Sequence, residues 1–217
     1  IGKRLFVHAG PDVVRAIRKL GAEIFLDLKF HDIPHQVTGS VRAATELGAS
    51  MLTIHAAGGP EMMRRAAETA KEVAEREQIP SPSIVAVTVL TSLDSKALNQ
   101  IGFAEEPTAI VKRLALLASA SGVDGVVASP QEITPIRSTV PEPSFLVVTP
   151  GIRPAQSLSD DDQKRIATPA FALAAGASYI VVGRPITAAP DPTKAANNII
   201  REMEVKVATM YGTAERL

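Results

Sequence analysis

The sequence predicts an α/β protein built on parallel strands, a (β/α)8 TIM barrel, and three observations carry that expectation. Short apolar, β-branched runs alternate with longer amphipathic stretches along the chain. The short runs are continuously apolar rather than alternating, as strands are when helices cover a parallel sheet. Several amphipathic stretches close on glycine just before the next apolar run, at Leu20-Gly21, Leu47-Gly48, Ser121-Gly122 and Ala175-Gly176. Glycine there accepts the left-handed backbone that ends a helix.

In order, the strand candidates are Ile24–Phe30, Met51–Ala56, Ile84–Leu90, Gly125–Ala128, Phe145–Thr149 and Tyr179–Gly183. The helical stretches between them are Pro11–Leu20, Val37–Leu47, Glu61–Glu77, Pro107–Ala120 and Pro169–Ala175. Ile1-Gly2 reads as the tail of a further strand. A barrel of eight βα units and usually about 250 residues is then one strand short at its N-terminus. An open doubly wound sheet is the competing architecture, but no G-x-G-x-x-G follows any strand. The expectation is one barrel domain over residues 1–217 that lacks its first strand.

Composition narrows the function classes. Hydrophobic residues make up 46% of the 217, enough for a sizeable core. Lys plus Arg number 23 and Asp plus Glu 23. That balance gives none of the basic excess typical of nucleic-acid or membrane-surface binders. No apolar run nears the roughly 18 residues needed to span a bilayer, and no secretory signal opens the chain. There is no cysteine, so thiol catalysis, disulfides and thiolate-ligated metals are excluded. A cytoplasmic location is the expectation.

In parallel α/β architectures the site lies at the carboxyl ends of the strands. Read in order, those ends carry Asp27, Lys29 and Asp32, then His55, Thr91-Ser92, Ser129, Thr149 through Arg153, and Gly183-Arg184. Residues two apart on a strand share a face, so Asp27 and Lys29 point the same way. A purely structural ion pair there would rarely stabilise more than apolar residues of similar volume. A strand-end position favours a functional pair instead. Gly183-Arg184, after the last strand, reads as a phosphate site: glycine lets the backbone approach closely and arginine offers a bidentate cation. Arg153–Gln163 has the length and polarity of a lid, although its acidic run Asp160–Asp162 also fits a solvated loop. His55 alone reads as a hydrogen-bonded structural histidine. The 4 histidines show no metal-binding spacing, so no metal is expected.

The stretches "FLDLKFHDIP", "HAAGG" with "EMM", "IVAVTVLTS", "GVDGVVAS", "VVTPGIRP" with "DDDQKRIATPA", and "IVVGRPIT" together resemble bacterial orotidine 5′-phosphate decarboxylases. The resemblance runs from Ile1 to about residue 200 in matching order. D-x-K-x-x-D alone is shared across a wider barrel superfamily; T-P-G-I-R, the downstream Gln and V-G-R narrow it. It implies a homodimeric barrel, with no metal or organic cofactor, that converts orotidine 5′-phosphate to UMP and CO2. It implies Lys29 as proton donor to C6, Asp27 beside the substrate carboxylate holding Lys29 protonated, and Asp32 crossing into the neighbouring subunit's site. It places Thr91, with Ser92 a weaker candidate, at the pyrimidine edge and Pro150 along the ring pocket. Arg153 falls within the same substrate-binding set, with Gln163 bridging base and phosphate. Gly183 and Arg184 hold the phosphate. The family also carries a second Asp and a second Lys on its first two strands; these fall before Ile1, and Lys3 lies past that Lys and does not inherit its role. Two alternatives stay open. One is a magnesium-dependent sugar-phosphate aldolase or decarboxylase of the same superfamily, and the other a non-catalytic nucleotide-binding barrel.

Overall fold

The computed structural model describes residues 1–154 and 167–211, side chains of 205–211 excepted. The chain begins with α1 (Lys3–Ala9) and α2 (Asp12–Arg18) and then alternates strands and helices. These are β1 (Phe25–Phe30), α3 (Pro34–Glu46), β2 (Met51–His55), α4 (Pro60–Glu77) and β3 (Ser83–Val87), followed by α5 (Ser95–Gln100) and α6 (Pro107–Ala120). Next come β4 (Gly125–Val127), α7 (Ile133–Thr139), β5 (Leu146–Thr149), α8 (Pro169–Ala175), β6 (Tyr179–Ile180), α9 (Arg184–Thr187) and α10 (Pro192–Tyr211). Helices α6 and α8 match their expected bounds. The last strand is shorter than expected, because the chain leaves it within two residues and enters α9 at Arg184.

Two compact units divide the chain. The first comprises residues 1–88, 112–127 and 142–145; the second comprises 89–111, 128–141 and 146–217. In the first, β1, β2, β3 and β4 pair in succession, every pair parallel. Gly2 forms an isolated parallel bridge to Asp27 on the other edge of β1, in keeping with the strand-like reading of Ile1-Gly2. In the second, β5 and β6 pair in parallel through Val148↔Tyr179 and Thr149↔Ile180.

The core of the first unit follows from the sequence pattern. Helix α4 repeats Met62, Met63, Ala66, Ala67, Ala70, Val73 and Ala74 at three- and four-residue spacing, and all are buried. Its alanines leave room for α3, whose Val37, Val41 and Ala44 are buried in turn. Strands β2 and β3 are buried at almost every position, as strands covered on both faces must be. Full burial of side chains such as Leu52, Ile54 and Met62 contributes about 1.5–3 kcal/mol each before entropy is counted. Helix α4 ends with Gln78 in the left-handed region, while α8 ends with Gly176 there.

Candidate active site

The charged group of the first unit is built on an irregularity in β1. Leu26 is in register with Leu52, but Phe30 is in register with Ile54. Four residue steps on β1 therefore oppose two on β2, and the excess is taken up at Asp27–Lys29. Lys29 occupies the left-handed region, with φ of 52°. A lysine there costs roughly 1 kcal/mol and persists only where its surroundings hold it.

Asp27 and Lys29 come together on this stretch. Lys29 Nζ donates to Asp27 Oδ1 at 2.7 Å and to Oδ2 at 2.6 Å, with both side chains half-buried. The expected proximity is present, on a stretch of strand whose register is irregular. Thr53, wholly buried on β2, completes the cluster. Its hydroxyl donates to Asp27 Oδ1 at 2.9 Å and accepts the backbone N–H of Lys29 at 2.8 Å. Sequence reasoning passed over Thr53, although a lone hydroxyl inside the apolar run Met51–His55 was the available signal.

Just beyond, His55 stacks on His31 with ring centroids 5.0 Å apart and planes 29° from parallel. Burial pushes the His55 imidazole down to about 4. The positive charge of His31, Lys3 and Lys29 adds to this, and Asp27 opposes it. His55 is thus a neutral neighbour of the ion pair at ordinary pH. Asp32 stands apart from that pair in the exposed turn before α3, where its Oδ1 accepts the N–H of Ile33 at 2.7 Å. Ile33 is itself 63% exposed.

The second unit holds the remaining candidates. Thr91 lies half-buried in the turn before α5, with Ser92 exposed beside it. Thr149 ends β5 wholly buried, and its hydroxyl has no hydrogen-bond partner among the described residues, while Ser129, two residues past β4 and equally buried, forms a reciprocal capping box with Glu132. A buried hydroxyl in the state of Thr149 marks a position where a ligand or water completes the bonding. Ser129 was read in sequence as a strand-end residue without a role. Pro150 follows Thr149 at the end of β5 and is half-buried. Arg153 is 6% exposed, and its guanidinium donates to the Ile152 carbonyl at 2.9 Å. The backbone of Gly151–Arg153 is pinned by Ala167, through Arg153 N–H to the Ala167 carbonyl and Ala167 N–H to the Gly151 carbonyl. Gly183 caps the single turn of α9, its carbonyl accepting the N–H groups of Ile186 and Thr187. Among the described residues a Cβ at Gly183 would meet no atom within 4 Å, so their packing leaves the backbone open there. Arg184 beside it is exposed. Gln163 and the segment from residue 155 to Asp162 lie outside the described residues. Among the described residues no three His, Asp or Glu side chains cluster as metal ligands, and no helix is long and apolar enough to cross a membrane.

Comparison with known proteins gives this arrangement a context. The chain is 52% identical over 206 residues to the orotidine 5′-phosphate decarboxylase of Moorella thermoacetica, covering 94% of this chain and 81% of that protein. It is 50% identical to the enzyme of the same name from Trichlorobacter lovleyi, over 94% of this chain and 83% of the relative. Among solved structures, the orotidine 5′-phosphate decarboxylase of Lactobacillus acidophilus matches with a TM-score of 0.80 at 38% identity, over 94% of this chain and 85% of that one. A conserved protein of Geobacillus kaustophilus matches with the same TM-score of 0.80 at 34% identity, over 93% and 86% of the two chains. The fold is accordingly α/β and TIM-barrel-like, as the strand pattern predicts. The model of the orotidine 5′-phosphate decarboxylase / HUMPS family matches residues 1–199, and the chain belongs to that family.

Proposed function

We propose that this protein decarboxylates orotidine 5′-phosphate to UMP and CO2 in pyrimidine biosynthesis, with Lys29 as proton donor. The observation that carries the reading is the Lys29 ammonium held on both oxygens of Asp27 at a strand end. Loss of CO2 leaves an electron pair on C6 of the pyrimidine, where the ring delocalises it poorly. A cation already fixed near that carbon stabilises the charge as it develops, with no reorganisation at the moment of reaction. The ammonium then gives its proton to C6, and a neutral amine remains beside Asp27. Asp27 orients the ammonium through both of its oxygens and, next to the substrate carboxylate, disfavours the ground state.

The other assignments belong to the same proposal. Thr91 meets the pyrimidine edge, and Pro150 and Arg153 belong to the substrate-binding set. Gln163 bridges base and phosphate. Gly183 and Arg184 hold the phosphate, which suits a backbone that the described residues leave open beside an exposed guanidinium. Phosphate binding far from C6 supplies energy for organising the site. One barrel domain over 1–217, a homodimer in which Asp32 reaches the neighbouring site, and a cytoplasmic setting complete the reading. The exposure of Asp32 and Ile33 supports the dimer.

The test is the ultraviolet absorbance change as orotidine 5′-phosphate is consumed, with EDTA present. Turnover that persists in EDTA supports the cofactor-free route and excludes the magnesium-dependent one, whereas no consumption of orotidine 5′-phosphate with or without magnesium would overturn the reading. Lys29→Ala should abolish turnover while UMP still binds. Retained turnover would remove Lys29 from the role of acid.

A further inference from the structure

Resting on the decarboxylase reading above, we propose that Thr53 is a positioning residue for the reaction, fixing through one hydroxyl both the Asp27 carboxylate and the backbone that carries Lys29. Thr53 is wholly buried in β2 between Leu52 and Ile54, which are also wholly buried. Packing alone does not call for a hydroxyl there. Valine has nearly the same volume, favours a strand as strongly, and carries no polar group to satisfy. The hydroxyl is nonetheless fully used, donating to Asp27 Oδ1 at 2.9 Å and accepting from the Lys29 N–H at 2.8 Å.

Both bonds fall where the ladder fails. Asp27 to Lys29 is the stretch of β1 left out of register with β2, and Thr53 sits on β2 between the two positions that remain in register. A bulge leaves its extra residues without ladder partners, and a buried N–H without an acceptor is costly. The Thr53 hydroxyl takes the place of the missing backbone carbonyl for Lys29. It thereby helps hold that residue at its φ of 52°. The same oxygen gives its proton to the carboxylate oxygen that also receives the Lys29 ammonium at 2.7 Å. One side chain therefore sets both ends of the ion pair: where the lysine leaves the backbone, and how the carboxylate that receives its head is turned.

Thr53 acts through Lys29 and not on substrate. Catalysis by a fixed charge depends on where the charge stands, so loosening it lowers the rate more than the affinity for the nucleotide. The test compares Thr53→Val and Thr53→Ser in the native full-length enzyme, with decarboxylation followed by absorbance and UMP affinity by calorimetry. Thr53→Val should lower kcat by roughly tenfold to a hundredfold, the scale of a lost hydrogen bond to a charged group, with UMP affinity within about threefold of the parent. Thr53→Ser keeps both bonds and should restore kcat to within about threefold of the parent. A folded valine variant with parental kcat overturns the proposal, as does one in which kcat and UMP affinity fall in parallel. If the valine variant does not fold, the serine variant decides: parental kcat supports the proposal, and an impaired but folded protein overturns it. A parent without turnover would overturn the decarboxylase reading itself, a different result from any of these.

Discussion

His55 carries its burial as a pH dependence. Its folded value of about 4 lies below the ordinary 6.5, chiefly because burial disfavours the charged ring. Between those values the unfolded chain binds a proton that the folded chain refuses. Stability is therefore complete above about 6.5 and falls as the pH drops toward about 4. The groups facing His55 are His31, Lys3, Lys29 and Asp27, so the positive charges work with burial and the carboxylate against it. Carboxylates titrate near the bottom of this window, and the histidine dominates its upper part. His55→Gln should flatten the fall in Tm between pH 6.5 and 5, measured by thermal melts across the range; an unchanged slope would mean that His55 does not set it. At this scale the sequence was informative about charge and uninformative about partners. Asp27 and Lys29 were legible because charged residues inside an apolar strand demand a reason. The His31–His55 stack was not, since nothing in the spacing of two histidines on different elements says that their rings meet.

At the scale of the element, what was legible followed from pattern, while the 20-residue α10 was not read although its length allowed it. Helices α4 and α6 carry enough turns for their apolar spacing to show, and the strands are apolar runs bounded by glycine, proline or charge. The short helices α5 and α7 were not read. Helix α5 buries only Leu98 and is fixed by its cap, the Asp94 side chain accepting from the Ala97 N–H at 3.0 Å. Helix α7 follows a turn in which Glu132 reaches back to the Ser129 N–H at 3.0 Å, an S-x-x-E signature present in the sequence but unused. The bulge in β1 had no signal of its own. Positive φ is ordinarily announced by glycine or asparagine, and here the residue is lysine. The shared face of Asp27 and Lys29 was thus inferred from a regular strand, and the pairing lies on an irregular one.

For the molecule as a whole, alternation of strand and helix placed the fold class correctly, because each parallel connection has to carry a crossover helix. Relatives with about 50% identity over nearly the whole chain make the activity class the natural reading. The assembly remains a proposal with a direct test. If Lys29 serves its own site and Asp32 the neighbouring one, then Lys29→Ala and Asp32→Ala homodimers are each impaired at every site. Mixing them through an unfolding and refolding step produces heterodimers in which one site of two has both residues. Recovered activity should approach about a quarter of the parental value, the share expected from random pairing in a two-fold dimer. No recovery, with heterodimers verified by mass spectrometry, would place Asp32 in its own subunit's site or outside any site.

The left-handed backbone at Lys29 offers an internal control that separates conformation from charge. Alanine at position 29 removes the ammonium but inherits the unfavourable φ, whereas glycine removes the same ammonium and tolerates that φ. Both variants leave Asp27 without its cation, so that loss cancels when they are compared. The glycine variant should be the more stable by about 1 kcal/mol, a difference readable in denaturant melts. An inactive protein firmer than its equally inactive sibling would show stability given up in the wild type to aim one amine.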